Sequence, residues 1–146
     1  MNFFIRRLQL DFIPTKVNCA ILLLRIALGV QMLIAHGWPK LMSFSKQAAT
    51  FPDPLGVGHT TSLALALFGE VVCMSLLVVG AFTRLAALGG AVTMAVAFFL
   101  VHGGKLGKDS GEMAFLYLVG FIAIFLTGPG LFALDTKLGG RTNAAK

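Results

Sequence analysis

The chain has 146 residues, 57% of them hydrophobic and 12% charged, with a formal net charge of +6. A soluble domain carries about 25% charged residues, and so short a chain cannot hide this much apolar surface from water. The basic residues other than Arg25 lie outside the long apolar runs, where they set membrane orientation. The composition therefore argues against a soluble enzyme and against nucleic-acid binding, and it predicts one membrane domain.

Residues 1–16 form the first predicted segment. Phe3 and Phe4 precede Arg6 and Arg7, a pattern typical of a segment that lies on a membrane surface with its aromatic rings inward and its charges toward lipid phosphates. The first apolar run, 17–36, is long enough to cross a membrane as a helix.

The longest predicted loop connects the first two spans, over residues 37–62. Its first part, 38–51, interleaves apolar side chains with Lys40 and Lys46. This pattern predicts a short interfacial or re-entrant helix, which Pro52-Asp53-Pro54 would end because helices rarely continue into a proline.

Three more apolar runs follow, at 63–82, 85–102 and 113–127. Thr83 is placed to cap the third helix after a very tight turn. Asp109 and Glu112 have the spacing of a capping box for the fourth. The predicted fold class is thus an all-α integral membrane protein, a four-transmembrane-helix bundle with a short interfacial or re-entrant helix between spans one and two.

Basic residues predict the orientation of this bundle. The side of the membrane that holds both termini collects seven Lys and Arg residues, against four on the other side, so both termini are expected to be cytoplasmic. We divide the chain into an interfacial segment at 1–16, a membrane domain at 17–135 and a basic cytoplasmic tail at 136–146. At the cytoplasmic helix ends, Arg84 and Asp135 are expected to pair.

Two ionisable residues interrupt the apolar runs, Arg25 in the first and Glu70 in the second. A charge at bilayer depth is costly, so such residues face a bundle interior and pair. At 1.5 Å per residue their depths in antiparallel helices differ by only about 6 Å, which predicts an Arg25–Glu70 pair. The pair would either bind a ligand headgroup or a proton, or lock the bundle as a structural ion pair.

A second polar group is expected at the non-cytoplasmic rim, where His36 and Lys40 end the first span and His102 ends the third. The two histidines are predicted to lie close together and to line the mouth of a cavity that reaches toward Glu70. Imidazoles there could hydrogen-bond a quinone carbonyl, ligate haem or help bind a metal, or they could be interfacial residues without a ligand. No spacing matches a metal-ligand signature, so no metal site is assigned.

Several stretches taken together resemble the DoxX family of small four-helix bacterial membrane proteins, over about residues 20–135. They are Leu24-Arg25-Ile26-Ala27-Leu28-Gly29, His36-Gly37 with Lys40, Glu70, Gly80-Ala81-Phe82-Thr83-Arg84-Leu85-Ala86-Ala87, His102-Gly103, Gly111-Glu112, Leu126-Thr127-Gly128-Pro129-Gly130 and Leu134-Asp135. The resemblance implies a four-helix bundle in the bacterial inner membrane. It links the chain with quinone-dependent oxidation of thiosulfate and with thiol and oxidative-stress systems.

These observations lead to one expected function and two alternatives. We expect a protein that binds a quinone or similar amphipathic redox partner, with Arg25, His36, Lys40, Glu70 and His102 as binding residues. It could be one subunit of an electron-transfer complex, with a partner redox protein or a second copy of itself. The absence of C-x-x-C from the sequence argues against a self-contained dithiol reaction. The alternatives are a non-enzymatic module that recruits or stabilises partner proteins, and a transporter of small solutes or lipids.

Overall fold

A computed structural model describes residue 14 and residues 16–107 and 111–138, and this part of the chain is helical without strands. We number the helices in chain order. They are α1 (Val17–Met42), α2 (Phe44–Gln47), α3 (His59–Val79), α4 (Thr83–Val101), α5 (Glu112–Thr127) and α6 (Leu134–Leu138). Of the described helices, α1, α3 and α4 are long and apolar enough to cross a membrane, whereas α5 has only 16 residues.

Each of the three long helices contains a wider, π-helical stretch. These stretches are Leu33–Gly37 in α1, Phe68–Cys73 in α3 and Val96–Val101 in α4. A π-helical stretch rotates the side chains that follow it and is frequent at functional sites. Glu70 lies inside one of them, and His36 lies inside another.

The first helix is longer than the sequence predicted. It continues past His36 to Met42, so Trp38 and Lys40 extend α1 by more than a turn. Only Phe44–Gln47 forms a separate short helix beyond it. Pro39 does not end α1, and it lies just after the π-helical stretch Leu33–Gly37, where the usual hydrogen-bond pattern of the helix is already shifted.

The turn between α3 and α4 is tight, as predicted, but Thr83 does not cap α4. Gly80, at φ 75°, ends α3, and the N–H of Ala81 returns to the carbonyl of Leu76 at 3.0 Å. This is the Schellman arrangement that glycine favours. The carboxylate of Asp135 accepts from the N–H of Phe82, the residue before α4, at 2.7 Å and from the N–H of Thr83, its first residue, at 2.8 Å. It therefore supplies the cap from 52 residues away, and no Arg84–Asp135 ion pair forms in the described structure.

Small residues allow the helices to approach closely. A Cβ atom on Gly29 would lie 2.7 Å from Val78, and one on Gly37 would lie 2.8 Å from the carbonyl oxygen of Glu70, so α1 packs along α3. The Gly90 backbone meets Phe121, and Gly111 meets Phe98 in the same way, so α5 runs antiparallel beside α4. Phe121 and Ile124 of α5 are fully buried in the resulting core.

Three predictions concern residues that the structure does not describe. The surface segment at 1–16, the basic tail at 136–146 and the capping box that begins at Asp109 lie wholly or mostly outside the described residues. Gly128-Pro129-Gly130 follows α5 immediately, in agreement with the sequence, and Gly128 and Gly130 have φ values of 82° and 70°.

Candidate functional site

Arg25 is the largest fully buried side chain among the described residues, with 1% of its surface exposed. Its guanidinium donates to three backbone carbonyls, those of Leu77 at 3.1 Å, Val78 at 3.2 Å and Pro129 at 2.7 Å. The first two belong to the last turn of α3, where helix carbonyls lack partners and the helix dipole is negative. Arg25 thus connects α1, the end of α3 and the turn after α5.

The predicted Arg25–Glu70 pair is wrong, and the helix register explains why. Gly37, whose backbone lies against the backbone of Glu70, is 12 positions after Arg25 in α1, or roughly 18 Å along the axis. The prediction assumed that residues 17 and 82 lie at one level. In the structure α3 ends already at Val79, and its end lies beside Arg25.

Glu70 pairs instead with Lys40, the residue that the sequence placed at the rim. The Lys40 Nζ atom lies 2.5 Å from Glu70 Oε1, and the two side chains are 25% and 5% exposed. Glu70 lies roughly 16 Å from the start of α3 and 14 Å from its end, so the carboxylate is near mid-span. The pair therefore connects a buried acid near the middle of α3 to a lysine near the end of α1.

Half of the Glu70 carboxylate has no partner. Oε1 accepts from Lys40, but Oε2 is buried and has no hydrogen-bond partner in the structure. Buried polar atoms are nearly always hydrogen-bonded, and an exception requires an explanation such as a water, an ion or a ligand. Glu70 differs from Arg25 in this respect, because all of the nitrogens of Arg25 are used.

The Lys40–Glu70 pair forms part of the wall of a groove of about 660 Å³ between α3 and α4. Its walls are mostly Leu, Val, Ala and Phe side chains, with Leu85 and Leu88 at the end near Arg84. The polar wall residues are Lys40, Ser62, Glu70, Thr93 and His102. The groove is thus an apolar channel with one ion pair partway along it. We call it the α3–α4 groove.

The loop before α3 covers one end of this groove with Phe51, Pro52, Pro54 and Leu55. Asp53 organises this loop. Its carboxylate accepts from the Ser62 hydroxyl at 2.7 Å and from the N–H groups of Val57 and Gly58 at 3.0 and 2.8 Å. The hydrogen bond from Ser62, helped by these backbone donors, lowers the pKa of Asp53 below its usual value.

The two rim histidines belong to different surroundings. His102 is exposed and lines the α3–α4 groove together with Lys40 and Glu70, but His36 is not among the residues that line it. The His36 ring instead packs edge-on against Tyr117 of α5, with 5.9 Å between the ring centroids. The structure therefore assigns His102, Lys40 and Glu70 to one groove, and it separates His36 and Arg25 from it.

The groove also contains three residues that the sequence gave no reason to select. Ser62 follows two threonines in the first turn of α3, Thr93 lies among apolar residues of α4, and Cys73 is a buried free thiol one turn from Glu70. One signal did exist for Thr93. Gly69 precedes Glu70, and a Cβ there would lie 2.0 Å from Thr93 Oγ1, which is the kind of close contact for which membrane helices use small residues.

Among the described residues no three His, Cys, Asp or Glu side chains are grouped as metal ligands would be. The groove residues offer instead one ammonium, one carboxylate, one imidazole and two hydroxyls in an apolar setting. Such a set can orient the polar end of an organic molecule and leave the rest of it in contact with hydrocarbon walls.

Comparison with known proteins gives a consistent class but no activity. The family model for DoxX matches residues 20–103. The chain is 34% identical over 112 residues to an uncharacterized protein of Haemophilus influenzae, which covers 73% of this chain and 81% of that one. It is 28% identical over 153 aligned positions to an uncharacterized membrane protein of Mycobacterium tuberculosis, covering 90% and 86% of the two chains. No solved structure matches.

Proposed function

Because the chain belongs to the DoxX family, as its match over residues 20–103 shows, we propose that it binds a quinone or a similar amphipathic molecule in the α3–α4 groove. The headgroup would lie at Lys40 and Glu70, and the apolar tail would lie along the leucines and valines of α3 and α4. The single observation that carries this proposal is the buried Glu70 Oε2 atom, which has no partner in the wall of an otherwise apolar groove.

The size and chemistry of the groove support this ligand class. Pockets for small molecules usually enclose about 300–1,000 Å³ and combine apolar walls with a few placed polar groups. At about 660 Å³, the α3–α4 groove fits an aromatic headgroup and part of a tail. A small hydrophilic solute would leave most of these walls without a favourable contact.

We place the groove in a four-span bundle in the bacterial inner membrane, with both termini cytoplasmic. The contacts of α5 along α4, from Gly111 beside Phe98 to Gly128 beside Arg84, support α5 as a fourth span although it is short. The charge count supports the orientation. Labelling of a cysteine introduced at position 143 by a membrane-impermeant reagent, applied outside intact cells, would contradict this orientation.

The partner that exchanges electrons with a bound quinone would be a separate redox protein or a second copy of this chain. The sequence has two cysteines and no C-x-x-C pair, so the chain does not carry the paired thiols of a dithiol reaction. The protein would then act as the quinone-binding component of an electron-transfer or oxidative-stress system.

Binding of a short-chain alkyl quinone to the purified protein in nanodiscs tests this function. We expect saturable binding, and we expect Lys40→Met to weaken it at least about tenfold, because Lys40 holds the headgroup site together. Lys46→Met is the matched control, because Lys46 is exposed, lies outside the groove and is one helix away. Equal affinity of the wild type and Lys40→Met, or no binding to either, would contradict the proposal. A stable protein partner in a ligand-free preparation would then favour the recruiting module.

A further inference from the structure

Three side-chain oxygens in the wall of the α3–α4 groove can only accept a hydrogen bond, and they belong to Ser62, Thr93 and Glu70. The Ser62 hydroxyl donates its one proton to Asp53 Oδ1, and the Thr93 hydroxyl donates its one proton to the carbonyl of Gly89 at 3.0 Å. Each hydroxyl has only lone pairs left to offer. Glu70 Oε2 is a third oxygen without a donor.

Thr93 lies close to the acid within this inventory. Its Oγ1 atom packs against the Gly69 backbone, the residue before Glu70 in α3. The donors are fewer. Lys40 has already given one proton to Glu70 Oε1, and His102 lies nine positions beyond Thr93 in α4, roughly 13 Å along the axis. A ligand atom at Glu70 thus faces a free acceptor and one partly used ammonium.

From this inventory we infer that the groove selects the reduced form of its ligand, a hydroquinone, over the oxidised quinone. A hydroquinone hydroxyl can donate to Glu70 Oε2 and accept from Lys40 Nζ at the same time. A quinone carbonyl can only accept, so it would use Lys40, leave Oε2 unsatisfied and bring a second oxygen lone pair toward it. The inference rests on the proposed function and specifies the state of the ligand that this site binds.

Three probes distinguish selection for the hydroquinone from binding that does not depend on the oxidation state. They are a short-chain alkyl benzoquinone, its hydroquinone, and the dimethyl ether of that hydroquinone. The ether keeps the shape and reduced ring but has no proton to donate. Binding is measured in nanodiscs without oxygen. We expect the hydroquinone to bind at least about tenfold more tightly than the quinone or the ether, which corresponds to about 1.4 kcal/mol.

The Glu70→Gln variant tests the assignment to Oε2. The amide offers both a donor and an acceptor, so we expect the preference for hydroquinone to fall to about threefold or less. Glu112→Gln is the matched control, since Glu112 is an exposed carboxylate outside the groove, and it should retain the full preference. If Glu70→Gln does not fold, Lys40→Met combined with Glu70→Leu removes both charges and should also lose the preference.

The outcomes distinguish the two proposals. Equal binding of all three probes, or tighter binding of the quinone, overturns the selection for hydroquinone and leaves the quinone-binding function standing. Failure of all three probes to bind overturns both. A preference for hydroquinone that survives Glu70→Gln overturns the assignment to Oε2.

Discussion

Arg25 and Glu70 are both charges buried in membrane-length helices, but their surroundings differ. The Arg25 guanidinium meets three backbone carbonyls and is enclosed by Gly80 and the turn at Pro129. The Glu70 carboxylate has one partner, Lys40, and its second oxygen faces no donor beside an open groove. Every nitrogen at the first site donates to a backbone carbonyl, whereas one carboxylate oxygen at the second has no donor.

This difference favours a structural role for Arg25 and is the reason that the binding site is proposed at Glu70. A buried charge whose hydrogen bonds all go to the protein's own backbone, and which lines no groove, stabilises the fold. A buried charge with a free lone pair, at the wall of a cavity, keeps capacity for a ligand. Both residues lie inside long apolar runs, so their position along the sequence does not distinguish the two roles.

The largest expected effect comes from removing the structural charge. We expect Arg25→Met to lower the free energy of unfolding by about 3–5 kcal/mol, because the carbonyls of Val78 and Pro129 lose their Arg25 donors and the carbonyl of Leu77 keeps only the Gly80 N–H. We expect Glu70→Gln to cost less, about 1–2 kcal/mol, because Oε2 has no hydrogen bond to lose and Lys40 can turn toward water. Unfolding in detergent, followed by circular dichroism, measures both.

Two further variants sharpen this result. Arg25→Lys should be nearly as damaging as Arg25→Met, because one ammonium cannot span three carbonyls as a planar guanidinium does. Arg84→Met, which removes an exposed arginine at the same end of the bundle, should change the stability by less than about 0.5 kcal/mol. A larger loss for Glu70→Gln than for Arg25→Met would reverse the comparison.

An intermediate effect is expected at Gly80, which lies against Arg25. Gly80 has φ 75°, and a Cβ there would lie 2.3 Å from Arg25 Nη2 and 2.8 Å from Ala133. Gly80→Ala should therefore combine backbone strain with overpacking. Gly56 is a matched control, because it has φ 68° and nothing within 4 Å of its Cβ position. We expect Gly80→Ala to lower the unfolding free energy by about 1–3 kcal/mol more than Gly56→Ala. Equal losses would mean that only the backbone strain matters.

The smallest expected effect concerns Asp135, which caps α4 at the end of the bundle where Arg25 lies. Burial raises the pKa of this carboxyl, but the N–H donors of Thr83 and Phe82 and the nearby Arg25 charge outweigh burial and hold the pKa below its usual value. The folded state therefore favours the ionised form. The stabilisation is complete above the unfolded pKa of about 3.9 and is lost as the pH falls through the lower folded pKa.

We therefore expect Asp135→Asn to cost about 0.5–2 kcal/mol at neutral pH, the range for a lost helix cap. The difference in Tm between wild type and Asp135→Asn should shrink as the pH falls below about 4. Glu112→Gln serves as the control, because Glu112 is exposed and is not involved in these contacts. A difference in Tm between wild type and Asp135→Asn that stays constant down to the pH of acid unfolding would show that Asp135 acts without its charge.

The local elements of this protein follow from its sequence. The apolar runs predicted helices that the structure places at His59–Val79, Thr83–Val101 and Glu112–Thr127, and Gly128-Pro129-Gly130 marked the end of the last one. The DoxX resemblance is confirmed by the family match. These features depend on neighbouring residues and on hydrophobicity, both of which can be read along the chain. The expectations that Lys40, Glu70 and His102 are binding residues remain predictions.

Only the tertiary structure decided which buried groups meet. The sequence by itself determined that Arg25 and Glu70 needed partners, because an unpaired charge in an apolar helix is costly. It could not give the register of α1 against α3, which depends on where Gly29 and Gly37 allow close approach. That register places Lys40 on Glu70, the end of α3 on Arg25, and Asp135 on the start of α4. Register depends on the packing of side chains distant in sequence, and a shift of a few residues exchanges every partner.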